Sequence, residues 1–198
     1  MGNSRASISG TGREERLSRF FVIICIIYSM GERIGLRHEM RAVIIVKSRG
    51  ETGKSSTLRE LIKLLLSLSG STVIEYDCPL GVPKFWNTKY DGFVVIDVNG
   101  RRIGCITEGD PGCELRTLNY RNRCVALGCD IVVAASRTKY KKGSVYKETY
   151  DFSKDQNACL IETSPFVAPR MNDWGARYPF SLFDKSCAIG LLDMIMKL

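Results

Sequence analysis

Histidine is almost missing from this sequence: His38 is the single one among 198 residues, and it precedes Met40, where the predicted domain begins. Catalysis by a serine or cysteine nucleophile normally requires an imidazole beside that nucleophile. The position of His38 therefore disfavours serine- and cysteine-hydrolase chemistry.

Long apolar runs are missing as well. The run FFVIICIIY, at 20–28, has nine residues, whereas a membrane-spanning helix needs about 20. No small-residue cleavage site follows it, and Ala6 stands where N-myristoylation requires Ser or Thr. We therefore predict no transmembrane segment and a cytoplasmic location. Residues 1–39 are interpreted as a leader or flexible N-terminal arm, and residues 40–198 as one domain.

The tight C-x2-C spacing of a zinc ribbon is also absent, although the chain has eight cysteines. Cys124 and Cys129 form a looser C-x4-C pair. Small disulfide-rich domains are secreted and shorter than this chain. We therefore predict reduced thiols that mostly fill the core.

Acidic residues are outnumbered: 29 Lys and Arg stand against 21 Asp and Glu, which gives a net charge of +8. Such an excess favours an anionic partner, which a nucleotide, a nucleic acid or an acidic lipid would satisfy.

From Met40 onward, short β-branched runs alternate with helical patterns, as in α/β proteins. Strands are predicted at AVIIV, TVIEY, FVVIDV, RIGCIT, DIVVAA and ACLIET. Asn99-Gly100 between the third and fourth predicts a type I′ hairpin. Helices are predicted after the first strand, over CELRTLNYRNRCVAL and near 186–197. The expected fold is a three-layer α/β domain with a mostly parallel sheet of about five to six strands and one antiparallel hairpin strand.

The segment SRGETGKS, at 48–55, lies between the first strand and the first helix. It resembles the Walker A loop of P-loop NTPases, with Ser48 in place of the first glycine, and this context strengthens the match. The resemblance implies a P-loop NTPase fold in which backbone N–H groups, Lys54 and the start of the helix bind phosphates. The residues predicted to bind the nucleotide are Arg49, Gly50, Glu51, Thr52, Gly53, Lys54, Ser55 and Ser56.

Ser55 is predicted to ligate Mg²⁺ together with an aspartate from a neighbouring strand. Asp97 and Asp110 are the two candidates, and the hairpin allows only one of them to face the loop. Asp110 is favoured because it follows its strand in a Gly/Pro-rich loop, whereas Asp97 adjoins a tight turn. Glu108 is predicted to orient the attacking water.

Three subfamilies compete within this resemblance. IETS, at 161–164, is similar to the guanine-side loop of Ras-like GTPases, but their N/T-K-x-D motif is missing. RGETGKSST resembles the signature of ParA/MinD-like ATPases, with Arg49 at the signature lysine, and this likeness makes Asp97 the Walker B residue.

The third likeness is to small nucleoside or metabolite kinases, because the basic segment SRTKYKK, at 136–142, lies where such kinases carry a phosphate-binding lid. Arg137 is predicted to neutralise charge on a transferring phosphoryl group. Asp77 is a candidate for accepting a proton from the acceptor.

The predicted function is therefore binding of a nucleoside triphosphate with Mg²⁺, followed by ATP hydrolysis or γ-phosphoryl transfer, with Lys54, Glu108 and Arg137 as catalytic residues. ATP is favoured by elimination, and GTP stays open. The alternative is a Ras-like or ParA-like switch that binds a protein or nucleic-acid partner through the basic segment 137–142, where nearby tyrosines would stack on bases.

Overall fold

The structure, a computed structural model, describes residues 39–48, 53–137, 142–165 and 180–198. They belong to the second of the two units into which the chain divides, His38–Leu198. The described strands are β1 (Ala42–Ser48), β2 (Ser71–Asp77), β3 (Phe93–Val98), β4 (Arg101–Ile106), β5 (Ile131–Arg137) and β6 (Cys159–Thr163). The described helices are α1 (Lys54–Ser67), α2 (Glu114–Ala126), α3 (Val145–Asp155) and α4 (Phe180–Lys197).

The six strands form one sheet in the order β2-β3-β4-β5-β1-β6. β1 pairs in parallel with both β5 and β6, and β5 pairs in parallel with β4. β3 is antiparallel to β2 and to β4, so β3 alone among the described strands runs against the others. The predicted α/β class and the mostly parallel sheet with an antiparallel hairpin strand are therefore confirmed.

Helices cover both faces of this sheet. On one face, α1 and α4 bury apolar side chains against the strands, namely Leu58, Leu61, Ile62, Leu65, Ala188, Leu191 and Ile195. On the other face, α2 and α3 contribute Tyr120, Cys124, Tyr146 and Phe152. Full burial of one such large side chain contributes about 1.5–3 kcal/mol. The two cores fix the strand ends, and thereby the edge at which the site lies.

The predicted hairpin is confirmed. Asn99 and Gly100 have φ angles of 54° and 87°, and a type I′ turn requires positive φ at both central positions. The N–H of Gly100 donates to Asp97 Oδ1 at 2.7 Å. Asp97 thus stabilises the turn.

The sequence pattern missed α3, where only a basic segment and tyrosines had been recognised. Ser144 begins this helix as its N-cap, and its hydroxyl accepts the N–H of Lys147 at 3.2 Å. The last helix begins at Phe180, earlier than the predicted 186. In α3, two of the five buried positions, Thr149 and Ser153, are polar, so the apolar residues alone do not trace its buried face.

The seven cysteines in the described residues are free thiols, in agreement with the prediction for those residues; Cys25 lies outside them. Burial raises the pKa of the Cys105 thiol, and hydrogen bonding with Cys129 raises that of Cys124. None of the described helices is long and apolar enough to cross a membrane.

Candidate functional site

The parallel strands all end at one edge of the sheet, and α1 begins there. Because β3 runs the other way, its first residue lies at this same edge. Asp91 and Gly92 precede β3, the segment Thr107–Asp110 follows β4, and Arg137 ends β5. Carboxyl edges of parallel strands are where α/β proteins bind ligands. We call this region the carboxyl edge.

Gly53 occupies the N-cap of α1 with a φ of 83°, in the left-handed region that favours glycine. A side chain there would also meet the Asp184 carboxylate, since a Cβ on Gly53 would lie 2.5 Å from Asp184 Oδ1. The same oxygen accepts the Thr57 hydroxyl at 3.4 Å. Glycine is therefore required at this position by both conformation and space. Of the predicted nucleotide-binding residues, Arg49, Gly50, Glu51 and Thr52 lie outside the described residues.

Lys54 is nearly buried at the start of α1, with 6% of its surface exposed. Burial lowers the pKa of its ammonium group, and the repulsion of Arg137 lowers it further. Asp110 and Asp91 act in the opposite direction and raise that pKa. The ammonium of Lys54 thus lies between one guanidinium and two carboxylates at the carboxyl edge.

Ser55 contacts the ends of two strands. Its hydroxyl donates to the carbonyl oxygen of Thr107, just after β4, at 2.9 Å. Burial has the largest effect on the Asp91 carboxyl and raises its pKa, while the Arg59 guanidinium and then hydrogen bonds with Ser55 and Thr107 lower it. Asp91 is therefore the carboxylate that lies beside the Ser55 hydroxyl.

Asp110 lies beside Arg137 instead. Arg137 Nε donates to Asp110 Oδ1 at 2.8 Å, and this hydrogen bond is the main reason why the pKa of Asp110 is lowered. The Asp110 side chain is 61% exposed. In the register of β1 and β5, Ser48 lies opposite Arg137, so the first position of the motif adjoins this ion pair.

Glu108 is almost completely buried, and its Oε2 accepts a hydrogen bond from Arg116 Nε at 2.9 Å. Its carboxylate faces a cavity of about 240 Å³ that Asp91 and Asp110 also line. Three carboxylates thus meet one small space, which Tyr90 and Leu80 help to enclose.

Three other predicted features lie elsewhere or are only partly described. Asp97 ends β3 at the opposite edge of the sheet, away from Ser55. Ser56 accepts a hydrogen bond from Arg59 Nη2 at 3.2 Å on the surface of α1. Within the basic segment 137–142, Arg137 and the exposed Lys142 are described, and 138–141 lie outside the described residues.

The tyrosines considered for nucleic-acid stacking have partners within the fold. The Tyr120 ring stacks on Phe93 with centroids 5.1 Å apart and is 2% exposed. The Tyr146 hydroxyl donates to Glu162, which also pairs with Lys47. Tyr140 lies outside the described residues. The described geometry therefore gives Tyr120 and Tyr146 a role in packing.

Asp91 is the site residue that sequence reasoning missed. The metal-binding aspartates predicted from the sequence, Asp97 and Asp110, lie towards the carboxyl ends of their strands. The amino end of an antiparallel strand, however, lies at the same edge as the carboxyl ends of its parallel neighbours. The available signal was Asp91-Gly92 directly before the apolar run FVVID. Once the hairpin is predicted, this position follows from it.

The oxygen donors at the carboxyl edge fit a hard cation better than a soft one. No group of three or more His, Cys, Asp or Glu side chains placed to hold a metal occurs within the described ranges. That is no obstacle for Mg²⁺, which proteins hold through one or two side chains together with phosphate oxygens and water. Ser55 and Asp91 offer two oxygen donors of this kind close to each other.

The fold and this edge define an α/β protein with a charged crevice where its parallel strands end. No protein-family model matches the sequence, and neither a curated protein nor a solved structure shows significant similarity to the chain. Its function must therefore be inferred from the geometry of the carboxyl edge.

Proposed function

We propose that this protein is a P-loop NTPase that binds a nucleoside triphosphate with Mg²⁺ and hydrolyses it or transfers its γ-phosphoryl group. The observation that carries the proposal is the nearly buried ammonium of Lys54 at the start of a helix, whose pKa Asp110, Arg137 and Asp91 all affect, next to a Ser55 hydroxyl that donates to Thr107 just after β4. The resemblance of SRGETGKS to the Walker A loop agrees with this placement.

The phosphates would lie at the start of α1. The N–H groups in the first turn of a helix have no partners within the helix, and the helix dipole places partial positive charge there. Lys54 adds a full charge that burial leaves poorly screened. Gly53 has a left-handed φ of 83° just before this turn, and a side chain at this position would meet the Asp184 carboxylate.

The Mg²⁺ ion would be held by the Ser55 hydroxyl with Asp91, and Asp110 is the second candidate carboxylate. When bound, the ion supplies positive charge that neutralises phosphate oxygens. Each of the two carboxylates pairs with an arginine, and Asp91 is favoured because it lies beside Ser55 and is less exposed than Asp110.

The remaining charged residues would act on the transferring group. Arg137 ends β5 beside Lys54 and would neutralise charge on the phosphoryl group. Glu108 would orient a water or an acceptor in the cavity that it lines, with Arg116 fixing its carboxylate. ATP is the favoured nucleotide.

Equilibrium binding of ATP and GTP, with Mg²⁺ and with a chelator, tests the proposal. We expect Lys54→Ala to lower the affinity for the triphosphate by about a hundredfold, since hydrogen-bonded charge contacts contribute about 1.5–3 kcal/mol each. Lys63→Ala is the matched control, because Lys63 lies on the same helix in an exposed pair with Glu60.

Phosphate release and mass spectrometry of acceptors then separate hydrolysis from transfer. The proposal is refuted if the wild-type protein binds neither nucleotide, or if Lys54→Ala and Lys63→Ala bind it equally well.

A further inference from the structure

Arg59 lies one helical turn after Ser55 on α1, so the two side chains project from the same face of the helix. Its guanidinium is mostly buried, with 13% of the side chain exposed. Nη1 donates to Asp91 Oδ1 at 2.8 Å and to the carbonyl oxygen of Tyr90 at 3.2 Å. Nη2 donates to Ser56 Oγ at 3.2 Å. One side chain thus joins the first turns of α1 to the segment that carries Asp91.

That segment has little regular structure of its own. Residues 78–92 connect β2 to β3, and the described secondary structure within them is one short 3-10 turn, Phe85–Asn87. Asp91 precedes β3, so the hydrogen-bond ladder of the sheet does not fix its side chain. Its neighbour Gly92 is held through its N–H, which donates to Thr107 Oγ1 at 2.8 Å. Arg59 supplies the contact to the carboxylate itself.

The form of the side chain matters here. The guanidinium is planar and presents several N–H groups in fixed directions, so it can bond a carboxylate and a backbone carbonyl at once. Lysine carries the same charge on a flexible stem and cannot reproduce that geometry. The contacts of Arg59 with Asp91, Tyr90 and Ser56 use this property.

We propose that Arg59 is a positioning residue, which holds the Asp91 carboxylate beside the Ser55 hydroxyl so that both oxygens face one divalent cation. This inference rests on the proposed function. Arg59 has no direct contact with the nucleotide in this arrangement and acts through Asp91. Partners that orient a metal ligand typically contribute tenfold to a hundredfold to metal affinity or activity.

A purely structural role for Arg59 has a different signature. The Arg59 side chain is only 13% exposed, so Arg59→Gln should lower the melting temperature whichever role the residue has. A residue that only held the segment in place would affect nucleotide binding equally with and without metal. A positioning residue for the cation site affects the metal-dependent part alone.

The test compares Arg59→Gln, Arg59→Lys and the control Lys63→Gln, with full-length protein in each case. The affinity for a non-hydrolysable ATP analogue is measured in chelator and in saturating Mg²⁺. The ratio of the two affinities gives the enhancement of nucleotide binding by the metal. Mn²⁺ binding in the presence of the analogue, followed by electron paramagnetic resonance, provides a readout on the metal itself.

We expect Arg59→Gln to lower the enhancement by about tenfold, with affinity in chelator unchanged. Arg59→Lys should restore part of the loss, and Lys63→Gln should match the wild type. The inference is overturned if the enhancement is unchanged in Arg59→Gln, or if the affinity in chelator falls by the same factor.

Failure of the proposed function would look different. In that case the wild-type protein shows no metal-dependent nucleotide binding at all. A crystal structure of Arg59→Gln without nucleotide then still tests the positioning role: Asp91 displaced from Ser55 supports it, and Asp91 unmoved refutes it.

Discussion

Two carboxylates at the carboxyl edge, Asp91 and Asp110, both raise the pKa of Lys54 but differ in their surroundings. On one side, Asp91 is beside Ser55 and is held by Arg59 from the same helix. On the other side, Asp110 is mostly exposed and is bound to Arg137 at the end of β5. Each carboxylate thus pairs with an arginine, and Asp91 also lies beside the Ser55 hydroxyl.

Position at a strand end therefore does not decide the role of a carboxylate. Both aspartates lie at the carboxyl edge, and both act on Lys54. Both pair with an arginine, and their surroundings differ: the Asp91 side chain is 38% exposed and adjoins the Ser55 hydroxyl, whereas the Asp110 side chain is 61% exposed. Removing the negative charge of each aspartate in turn tests this difference.

The largest effect is expected from Asp91→Asn. Removing this carboxylate should weaken binding of the Mg²⁺-nucleotide complex by about a hundredfold, because a hydrogen-bonded charged partner of the cation is lost. Asp110→Asn should weaken binding by about threefold at most, since its side chain is exposed and screened. Calorimetric titration of both variants measures the contrast. Equal losses in the two variants would contradict the assignment.

The fold could be predicted further than the site. The apolar runs became the strands β1 to β6, and Asn99-Gly100 became the hairpin, because buried strands and tight turns leave local signals. Asp91 left only a weak local signal, its place directly before the run FVVID. Its place beside Ser55 depends on an antiparallel strand and on Arg59, which are separated from it in sequence.

The pairing of Glu108 with Arg116 and of Asp110 with Arg137 escaped prediction for a related reason. The sequence identified Glu108, Asp110 and Arg137 as candidates by their types and positions. Which cation pairs with which carboxylate depends on distances of a few ångströms between β4, β5 and α2. Those distances are set by packing, which no single segment encodes.

Gly109, between Glu108 and Asp110, packs against the backbone of β5, so its substitution should lower stability. A Cβ at this position would lie 2.4 Å from the carbonyl oxygen of Ala135 and 2.8 Å from the Ser136 nitrogen. Backbone atoms cannot move aside cheaply, so Gly109→Ala should destabilise the fold by about 2 kcal/mol.

Chemical denaturation measures this cost, and Gly190→Ala is the control. Gly190 lies within α4 with no atom near its added Cβ, so alanine there should stabilise the helix by about 1 kcal/mol. Equal stability of Gly109→Ala and the wild type would show that β4 and β5 separate more easily at this edge than their packing implies.

A smaller effect is expected from Arg137→Gln, on turnover more than on binding. The side chain is 39% exposed and already shares its charge with Asp110, so the loss should be about tenfold, below the effect of removing a buried catalytic donor. Arg102→Gln is the matched control, because Arg102 faces Asp97 at the opposite edge, with Nε 3.7 Å from Asp97 Oδ2. If the rate of phosphate release fell equally in Arg137→Gln and Arg102→Gln, Arg137 would have no specific role in the site.

The smallest effect is expected from Arg116→Gln, which tests whether Glu108 belongs to the chemistry. Arg116 is half exposed, so losing its ion pair with Glu108 should cost no more than about 1 kcal/mol in stability. Turnover should fall by about threefold, because Glu108 keeps its place in the cavity wall and loses only its orientation.

Glu108→Gln retains the shape of the side chain and removes its ability to accept a proton, so its turnover should fall well below that of Arg116→Gln. Because the two residues are in contact, a double-mutant cycle measures their coupling directly. Coupling in stability without any coupling in turnover would make this pair a link between α2 and β4. Lys54 and Arg137 would then be the residues that act on the transferred group, and Asp110 would serve only to hold Arg137 in place.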